Sequence, residues 1–487
     1  MARLALGAAL SSIILLGLRL DLSRVVSLGD SEALYLAFGL HPQATYLHHP
    51  GLIGWIAQLL GAGATPRAVH TLTAVGATLL PWAGVLAARA CGSTFNAALR
   101  TYFALAFIPE LSVGSFAFAP NLPFCFSWLA ALGCAGLALR LPAGHIGTLL
   151  AWSSAGAAVA ASCLSMTSGW LLFVSVLVAC LVRPDRTRLL TLGPWTALGL
   201  FAILLSPVVA SWFAFGINVR FDWTPVWGES LLTLARPIAS ITPPFLVAAV
   251  LVARTLSRRG GLGPVDRLLA SSLLVPLIPQ VLLALFAGDS LGDLGWLAPA
   301  YLTLALQAAR IAPLPRHLSR SCVGLGAALV VASWAWLRTD MPLLVGQALG
   351  GYEPLHDASN DFYAWGPGRV LLEDAVEASQ QRTGQLPVVV GPHWALCAQA
   401  EVALHGRVPV ACDSAELDDY DRWAGAAAWS RASTLVFVTD SRFHADPPET
   451  FYGWTLVSVH EAPLERFGQE VRHISVSEFD REATAGR

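Results

Sequence analysis

Long apolar runs follow one another through roughly the first 340 of the 487 residues, and they limit the possible fold more than any other feature. A helix needs about 20 apolar residues to cross a bilayer, and these runs approach or reach that length. Only 13% of all residues are charged, against about 25% in a soluble domain. The sequence therefore predicts a polytopic α-helical membrane protein with about 11 transmembrane helices. The predicted spans are 2–20, 68–90, 95–117, 122–140, 146–165, 167–182, 189–214, 236–254, 268–287, 294–310 and 321–338.

The residues after the last run differ in composition, because most of the acidic residues lie from Asp340 onward. Strand-like segments alternate there with a helical stretch at 393–404, which predicts a small α/β domain with a partly parallel sheet. We therefore predict a membrane body at 1–339 and a soluble C-terminal domain at 340–487. The predicted strands are 386–391, 408–412, 434–440 and 470–479.

The C-terminal domain contains neither a glycine-rich phosphate loop nor a Ser-His-Asp pattern, and we assign it no chemistry of its own. Its two cysteines are Cys397 and Cys412. Outside the cytoplasm they can form a disulfide, but their spacing alone does not decide it.

The basic residues predict the orientation, and all 30 of them are arginines. With a cytoplasmic N-terminus, the arginines before the C-terminal domain lie on the inner side by about two to one, as the positive-inside rule requires. This places residues 21–65, the turn at 119–123 and the C-terminal domain on the outer face of the plasma (inner) membrane. The formal net charge of −2 gives no indication of nucleic-acid binding.

Residues 21–65, the first outer loop, contain an acidic pair, Asp30 and Glu32, and a histidine pair, His48 and His49. We predict two short helices here, at 31–40 and 51–63, with the histidines between them. Ionisable groups at membrane depth are costly and usually face a polar cavity. A purely structural alternative is that Asp30 caps the first helix, with Glu32 in its first turn and the histidines in a turn.

The loop motifs resemble those of the GT-C membrane glycosyltransferases. Residues 30–35 (DSEALY) and 46–52 (YLHHPGL) are similar to the motifs D-E-A-Y-Y-W and Y-x-D-H-P-P-L of the family-39 type, which is related to protein O-mannosyltransferases and to the aminoarabinose transferase of lipid A. Residues 119–124 (APNLPF) are similar to the family's T-P-D-x-P-L. Asn121 stands where the family has a second acidic residue, and it is equally suited to cap the helix that follows.

The resemblance implies that a sugar moves, with inversion, from a polyprenyl-phosphate donor to an acceptor hydroxyl of a lipid, glycan or protein at the outer face. Such a reaction needs a carboxylate to take up a proton and donor groups to hold the phosphate. We expect Asp30 to be the base, Glu32 to support or replace it, and Glu110, inside the predicted helix 95–117, to be a secondary candidate. The candidates for holding the phosphate or a divalent metal ion are His48, His49, Arg220 and Arg236.

Two other classes of function compete with this interpretation. A catalytically degenerate relative would act in binding or assembly, and Asn121 is its main support because an amide cannot take up a proton as a carboxylate does. A lipid or glycan transporter is expected to have paired inverted repeats with broken helices, and the sequence has no such symmetry.

Overall fold

The structure is a computed structural model, and it describes residues 2–47, 49–181, 185–215, 243–258, 261–286, 298–311, 315–363, 365–415, 417–424, 429–443 and 450–481. Contacts between Cα atoms divide the chain into two units. The first comprises residues 1–20, 48–52 and 71–334, and the second comprises 21–47, 53–70 and 335–487. The predicted division lay at 339/340 and left residues 21–65 in the membrane body. The structure groups most of that loop with the C-terminal domain, because long-range hydrogen bonds join the two segments.

The helices match most of the predicted spans in the part of the chain that the structure describes. They are α1 (Ala2–Leu22), α2 (Asp30–Leu40), α3 (Leu52–Leu60), α4 (Pro66–Ala90), α5 (Phe95–Ala106), α6 (Pro109–Gly114), α7 (Asn121–Arg140), α8 (Ile146–Ser165), α9 (Gly169–Leu181), α10 (Leu192–Phe215), α11 (Pro243–Arg258), α12 (Pro264–Phe286), α13 (Ala298–Ile311), α14 (Arg316–Arg338), α15 (Met341–Ala348), α16 (Gly366–Thr383), α17 (Trp394–Ala403) and α18 (Tyr420–Trp423).

In the part of the chain that the structure describes, six helices are long and apolar enough to cross a membrane: α1, α4, α7, α8, α10 and α14. Their outer faces are apolar, as on α1, where Ile13 is 67% exposed. Exposed apolar surface of this extent is typical of a protein that lipid surrounds. The chain is a membrane protein, while the number of about 11 spans and their orientation stay predictions.

The predicted helix 95–117 is wrong, because the chain interrupts it. Helix α5 ends at Ala106 and α6 begins at Pro109, with Ile108 in an extended conformation between them. A proline disfavours helical geometry at the residue before it and has no N–H to continue the helix. Glu110 therefore lies in the first turn of the short helix α6 and not inside a spanning helix.

Among the described residues of the C-terminal domain, six strands form one sheet with the order β2-β1-β3-β6-β5-β4. β1 pairs in parallel with β2 and β3, and β6 is antiparallel to β3, so the predicted partly parallel sheet is confirmed. The sequence did not predict strands β4 and β5, because exposed residues and Pro463 interrupt the apolar pattern of β5. The strands are β1 (Val388–Gly391), β2 (Val410–Cys412), β3 (Thr434–Asp440), β4 (Thr450–Phe451), β5 (Trp454–Arg466) and β6 (Gln469–Arg481).

Helix α17 packs on this sheet and is covalently attached to it. Leu396 and Ala400 of α17 are fully buried in one apolar cluster with Val389 of β1. Cys397 of α17 forms a disulfide with Cys412 at the end of β2. Helix α17, which contacts the first outer loop, is thus fixed to the sheet by apolar packing and by a disulfide bond.

The two predicted short helices of the first outer loop are confirmed as α2 and α3. Tyr46 lies between them, stacks on Phe38 with ring centroids 3.7 Å apart and donates a hydrogen bond to the Phe38 carbonyl at 2.8 Å. A Cβ atom built on Gly39 would lie 2.7 Å from the Ala57 backbone, so only glycine allows the two helices to approach so closely. The loop therefore holds α2 in one position.

Candidate active site

Asp30 is the first residue of α2, and its carboxylate is buried, with 7% of the residue exposed. Gly29 is the N-cap residue, so the alternative prediction that Asp30 caps this helix is wrong. Oδ1 of Asp30 accepts a hydrogen bond from Gln399 Nε2 at 3.1 Å, and Oδ2 accepts one from Arg442 Nη1. Both partners belong to the C-terminal domain, which thus supplies the surroundings of this carboxylate.

Five further side chains complete what we call the Asp30 cluster, together with Asp30 itself: Gln399, Arg442, Asp440, Asp361 and Arg472. Arg442 is held by Asp440, with Nη2 2.7 Å from Oδ2 and Nε 3.1 Å from Oδ1. Arg472 donates a hydrogen bond to Asp361, whose Oδ1 also lies 3.8 Å from Arg442 Nη1. Three carboxylates thus surround two guanidinium groups in a largely buried setting.

The two arginines respond differently to this environment. Burial lowers the pKa of Arg442, but the Asp440 and Asp30 carboxylates outweigh burial and raise that pKa above its ordinary value. Burial lowers the pKa of Arg472 below its ordinary value, and the charge of Asp30 offsets only part of this change. Nearby opposite charge favours the charged form of a group, whereas desolvation disfavours it. Arg442 is accordingly the cation that the Asp30 carboxylate stabilises more.

Glu32 is also buried, and it contacts Gly29, the N-cap residue of α2, and His70 of α4. Its Oε2 accepts a hydrogen bond from the Gly29 backbone N–H at 2.8 Å, and its Oε1 lies 3.0 Å from His70 Nε2. This is the position at which a glutamate closes the first turn of a helix. Glu32 therefore fixes the turn from which the Asp30 side chain projects.

At the other end of α2 a second polar group connects the loop to the C-terminal domain. His41 Nε2 lies 2.6 Å from Glu401 Oε1, and Tyr420 Oη donates to Glu401 Oε2 at 2.8 Å. The His41 ring stacks on Trp423 with centroids 4.2 Å apart. Both carboxylate oxygens of Glu401 thus have a partner, and these contacts anchor the end of α2 to the C-terminal domain.

The remaining predicted site residues lie elsewhere in the chain. Asn121 is the first residue of α7, with Pro120 as the N-cap, so the alternative that Asn121 caps this helix is wrong. Glu110 of α6 lies near Tyr301 of α13 and interacts with it electrostatically. His49 is half-buried and belongs to the segment that connects α2 with α3. His48, Arg220 and Arg236 lie outside the described residues.

A metal ion was a further expectation from the sequence. Within the described ranges, no group of three or more histidine, cysteine, aspartate or glutamate side chains is arranged to hold one. A protein-bound divalent cation requires several such ligands converging on one point. The described histidine, cysteine, aspartate and glutamate side chains therefore do not fit a metal site, and we derive no step through a metal ion.

The fold, by contrast, has counterparts. ArnT from Cupriavidus metallidurans, in crystal structures bound to undecaprenyl phosphate and in the apo state, matches this chain with a TM-score of 0.59 and 15% sequence identity over 97% of both chains. This chain therefore shares the fold of ArnT. The predicted resemblance is thereby confirmed at the level of the fold.

A second solved structure is less similar to this chain. The oligosaccharyltransferase AglB from Archaeoglobus fulgidus, in complex with an inhibitory peptide and a dolichol-phosphate, has a TM-score of 0.47 and 13% identity, over 88% of this chain and 69% of that chain. No protein-family model and no curated protein sequence matches the chain.

Proposed function

We propose that this GT-C chain is a membrane glycosyltransferase that moves a sugar from a polyprenyl-phosphate donor to an acceptor hydroxyl, with inversion. The observation that carries the proposal is the buried Asp30 carboxylate, which begins a helix in a loop of fixed shape and is surrounded by charged groups. Perturbed, buried ionisable clusters are candidates for functional sites. The structural likeness to ArnT, crystallised with undecaprenyl phosphate, supports this choice of donor class.

In the proposed reaction the acceptor oxygen attacks the anomeric carbon from the face opposite the phosphate. The new carbon–oxygen bond forms as the bond to the phosphate oxygen breaks, and the electron pair of that bond leaves with the polyprenyl phosphate. The acceptor hydroxyl proton passes to Asp30. A phosphate needs no protonation to depart at neutral pH, so one positioned base is sufficient.

Asp30 has the hydrogen-bonding capacity for this role. A carboxylate offers about four lone-pair positions, of which hydrogen bonds from Gln399 and Arg442 occupy one on each oxygen. The second lone pair of each oxygen can receive the acceptor hydroxyl. Glu32 supports the reaction by holding the first turn of α2 through the Gly29 N–H.

For the phosphate we propose the predicted donor groups His48, His49, Arg220 and Arg236. Positive and N–H groups that face a leaving phosphate stabilise the charge that develops on it.

We further propose that the first outer loop and the C-terminal domain lie on the extracytoplasmic face of the plasma membrane. Two observations support this. Arg338, at the end of α14, pairs with Asp21, at the end of α1, at 3.1 Å, so both helices end on one face. The disulfide Cys397–Cys412 is of a kind that persists in oxidising compartments outside the cytoplasm.

The test is mass analysis of lipid-linked sugars and surface glycans in cells with the wild-type protein, without it, and with Asp30→Asn. We expect an undelivered lipid-linked sugar to accumulate, and one glycan modification to disappear, in the last two strains alike. Unchanged lipids and glycans in all three strains would contradict the proposal.

Asn121 favours a second candidate, a degenerate relative that acts in binding or assembly. The two candidates differ in the effect of Asn121→Asp on purified protein. An active enzyme that lacks the second acid keeps or raises its transfer rate in this variant. A degenerate protein shows no transfer in the wild type. If Asn121→Asp then gains transfer, the wild-type protein is an enzyme that has lost its activity.

A further inference from the structure

Arg442 lies in the turn that follows β3, and the turn is fixed to the sheet. The Arg442 backbone N–H donates to Asp440 Oδ1 at 2.9 Å, and the Ser441 N–H donates to the His473 carbonyl of β6 at 2.9 Å. Asp440 is the last residue of β3 and is 3% exposed. The base of the Arg442 side chain therefore has the rigidity of the sheet.

The guanidinium group of Arg442 extends from this turn to Asp30. Its Nε and Nη2 bind Asp440 at 3.0 and 2.7 Å from Oδ2, and its Nη1 binds Asp30 Oδ2. The ring of Phe443 lies under the guanidinium carbon at 5.0 Å, and the ring of His393 stacks on Phe443. A planar fork with five N–H donors can hold two carboxylates at a fixed mutual angle, which a lysine cannot.

The other charged groups near Asp30 are already engaged. Arg472 donates to Asp361, and Glu32 is paired with His70. Asp440 balances the charge of Arg442 on the side away from Asp30. Arg442 therefore contributes orientation more than charge, because its positive charge is shared between two carboxylates.

We propose that Arg442 is a positioning residue that makes the C-terminal domain part of the active site, by fixing the plane of the Asp30 carboxylate. The inference rests on the proposed function, since it assigns Arg442 a role through Asp30. Arg442 binds one lone pair of Oδ2 and Gln399 one of Oδ1, so the carboxylate cannot rotate about its terminal bond. The remaining lone pairs then keep fixed directions, along one of which an acceptor hydroxyl must be brought.

A positioning role predicts a loss of rate without a loss of binding. In Arg442→Ala only the hydrogen bond from Gln399 still orients the carboxylate, and we expect kcat to fall about 10²-fold, the loss typical of a small misplacement. The KM for the lipid-linked donor should change by less than about threefold, because the interaction affects the reacting geometry and not the ground-state binding. Arg442→Lys should lie between the two, because its single ammonium group cannot hold both carboxylates.

The decisive experiment adds guanidinium chloride at millimolar concentration to purified Arg442→Ala in liposomes that contain the lipid-linked donor. Guanidinium should restore kcat at least about tenfold by occupying the emptied position. Urea at the same concentration has the same shape without the charge and should restore nothing. Arg382→Ala is the matched control, since Arg382 also binds two carboxylates, Glu478 and Asp480, on the sheet away from Asp30, and it should keep the wild-type kcat.

The outcomes separate this inference from the proposed function. Full activity in Arg442→Ala, a change confined to KM, or equal rescue by guanidinium and urea overturns the role of Arg442, while activity of the wild type and inactivity of Asp30→Asn leave the proposed function standing. If the wild type transfers no sugar, the proposed function fails and takes the inference with it. If Arg442→Ala does not fold, the measurement rests on Arg442→Lys, and a wild-type kcat in that variant overturns the role.

Discussion

The two ends of helix α2 both contact the C-terminal domain, but through different chemistry. At the first residue, Asp30 meets an arginine that stays charged at any physiological pH. Just beyond the last residue, His41 contacts Glu401 and stacks on Trp423. At the first end, the Asp30 carboxylate can accept further hydrogen bonds from a substrate. At the second end, the Glu401 carboxylate binds His41 and Tyr420, which attach the loop to the C-terminal domain. The comparison indicates that one end is built for reaction and the other for attachment.

Helix α17 serves both ends, so removing its disulfide should have the largest effect on stability. We expect Cys397→Ala/Cys412→Ala to lower the free energy of unfolding by roughly 3 kcal/mol, as a loop of 15 residues loses its cross-link. Thermal unfolding in detergent measures this change. A reducing agent should lower the stability of the wild type to that of the variant and leave the variant unchanged. A reductant-sensitive variant would contradict the assignment of the bond.

Lengthening the acid at the reactive end should affect the rate and not the stability. Asp30→Glu keeps the charge but moves the carboxylate by about 1 Å, and we expect kcat to fall about 10²-fold. The free energy of unfolding should change by less than about 1 kcal/mol. The matched control is Asp480→Glu, which lengthens a partly exposed carboxylate paired with Arg382. Equal activity of the two variants would remove the distinction between the ends of α2.

Most of the fold followed from sequence patterns, and the reactive contacts did not. Apolar length predicted the helices, and β-branched runs such as Thr434–Asp440 predicted the strands. By contrast, 412 positions separate Asp30 from Arg442, and no local pattern reports a contact of that range. Arg442 follows a strand end in a segment without a motif, so no sequence pattern indicated its role. Gln399 and Glu401 were hidden for the same reason, inside an otherwise apolar helix.

Removing the histidine at the attachment end should cost stability and leave the rate unchanged. His41→Ala leaves the buried Glu401 with one of its two described partners, and we expect the free energy of unfolding to fall by about 1–2 kcal/mol. His473→Ala is the control, because His473 and Glu461 are both exposed, and it should cost less than about 0.5 kcal/mol. Transfer rates per folded molecule should match the wild type. A large loss of kcat in His41→Ala would assign chemistry to this end also.

The attachment end also predicts the smallest effect, a dependence of stability on pH. Burial raises the pKa of Asp418, two residues before Tyr420, to about 6, and this exceeds its value in the unfolded chain. The folded state therefore binds more protons between about pH 4 and 6, so this group's contribution to stability is present at low pH and is lost as pH rises through about 6. Asp418→Asn should raise the free energy of unfolding at pH 7.5 by on the order of 1 kcal/mol and make little difference at pH 4.5. Unfolding curves at both pH values measure this, and equal gains at both would contradict it.

The central claim, that Asp30 is the base of a glycosyl transfer, is tested most directly by Asp30→Asn. The purified protein is reconstituted in liposomes with a polyprenyl-phosphate-linked sugar, and release of polyprenyl phosphate is followed over time. Asparagine preserves the shape and the bond to Gln399 but loses the bond from Arg442 and cannot take up the proton, so we predict a fall of about 10²- to 10⁴-fold in kcat per folded molecule. Release at the wild-type rate from folded Asp30→Asn protein would contradict the account.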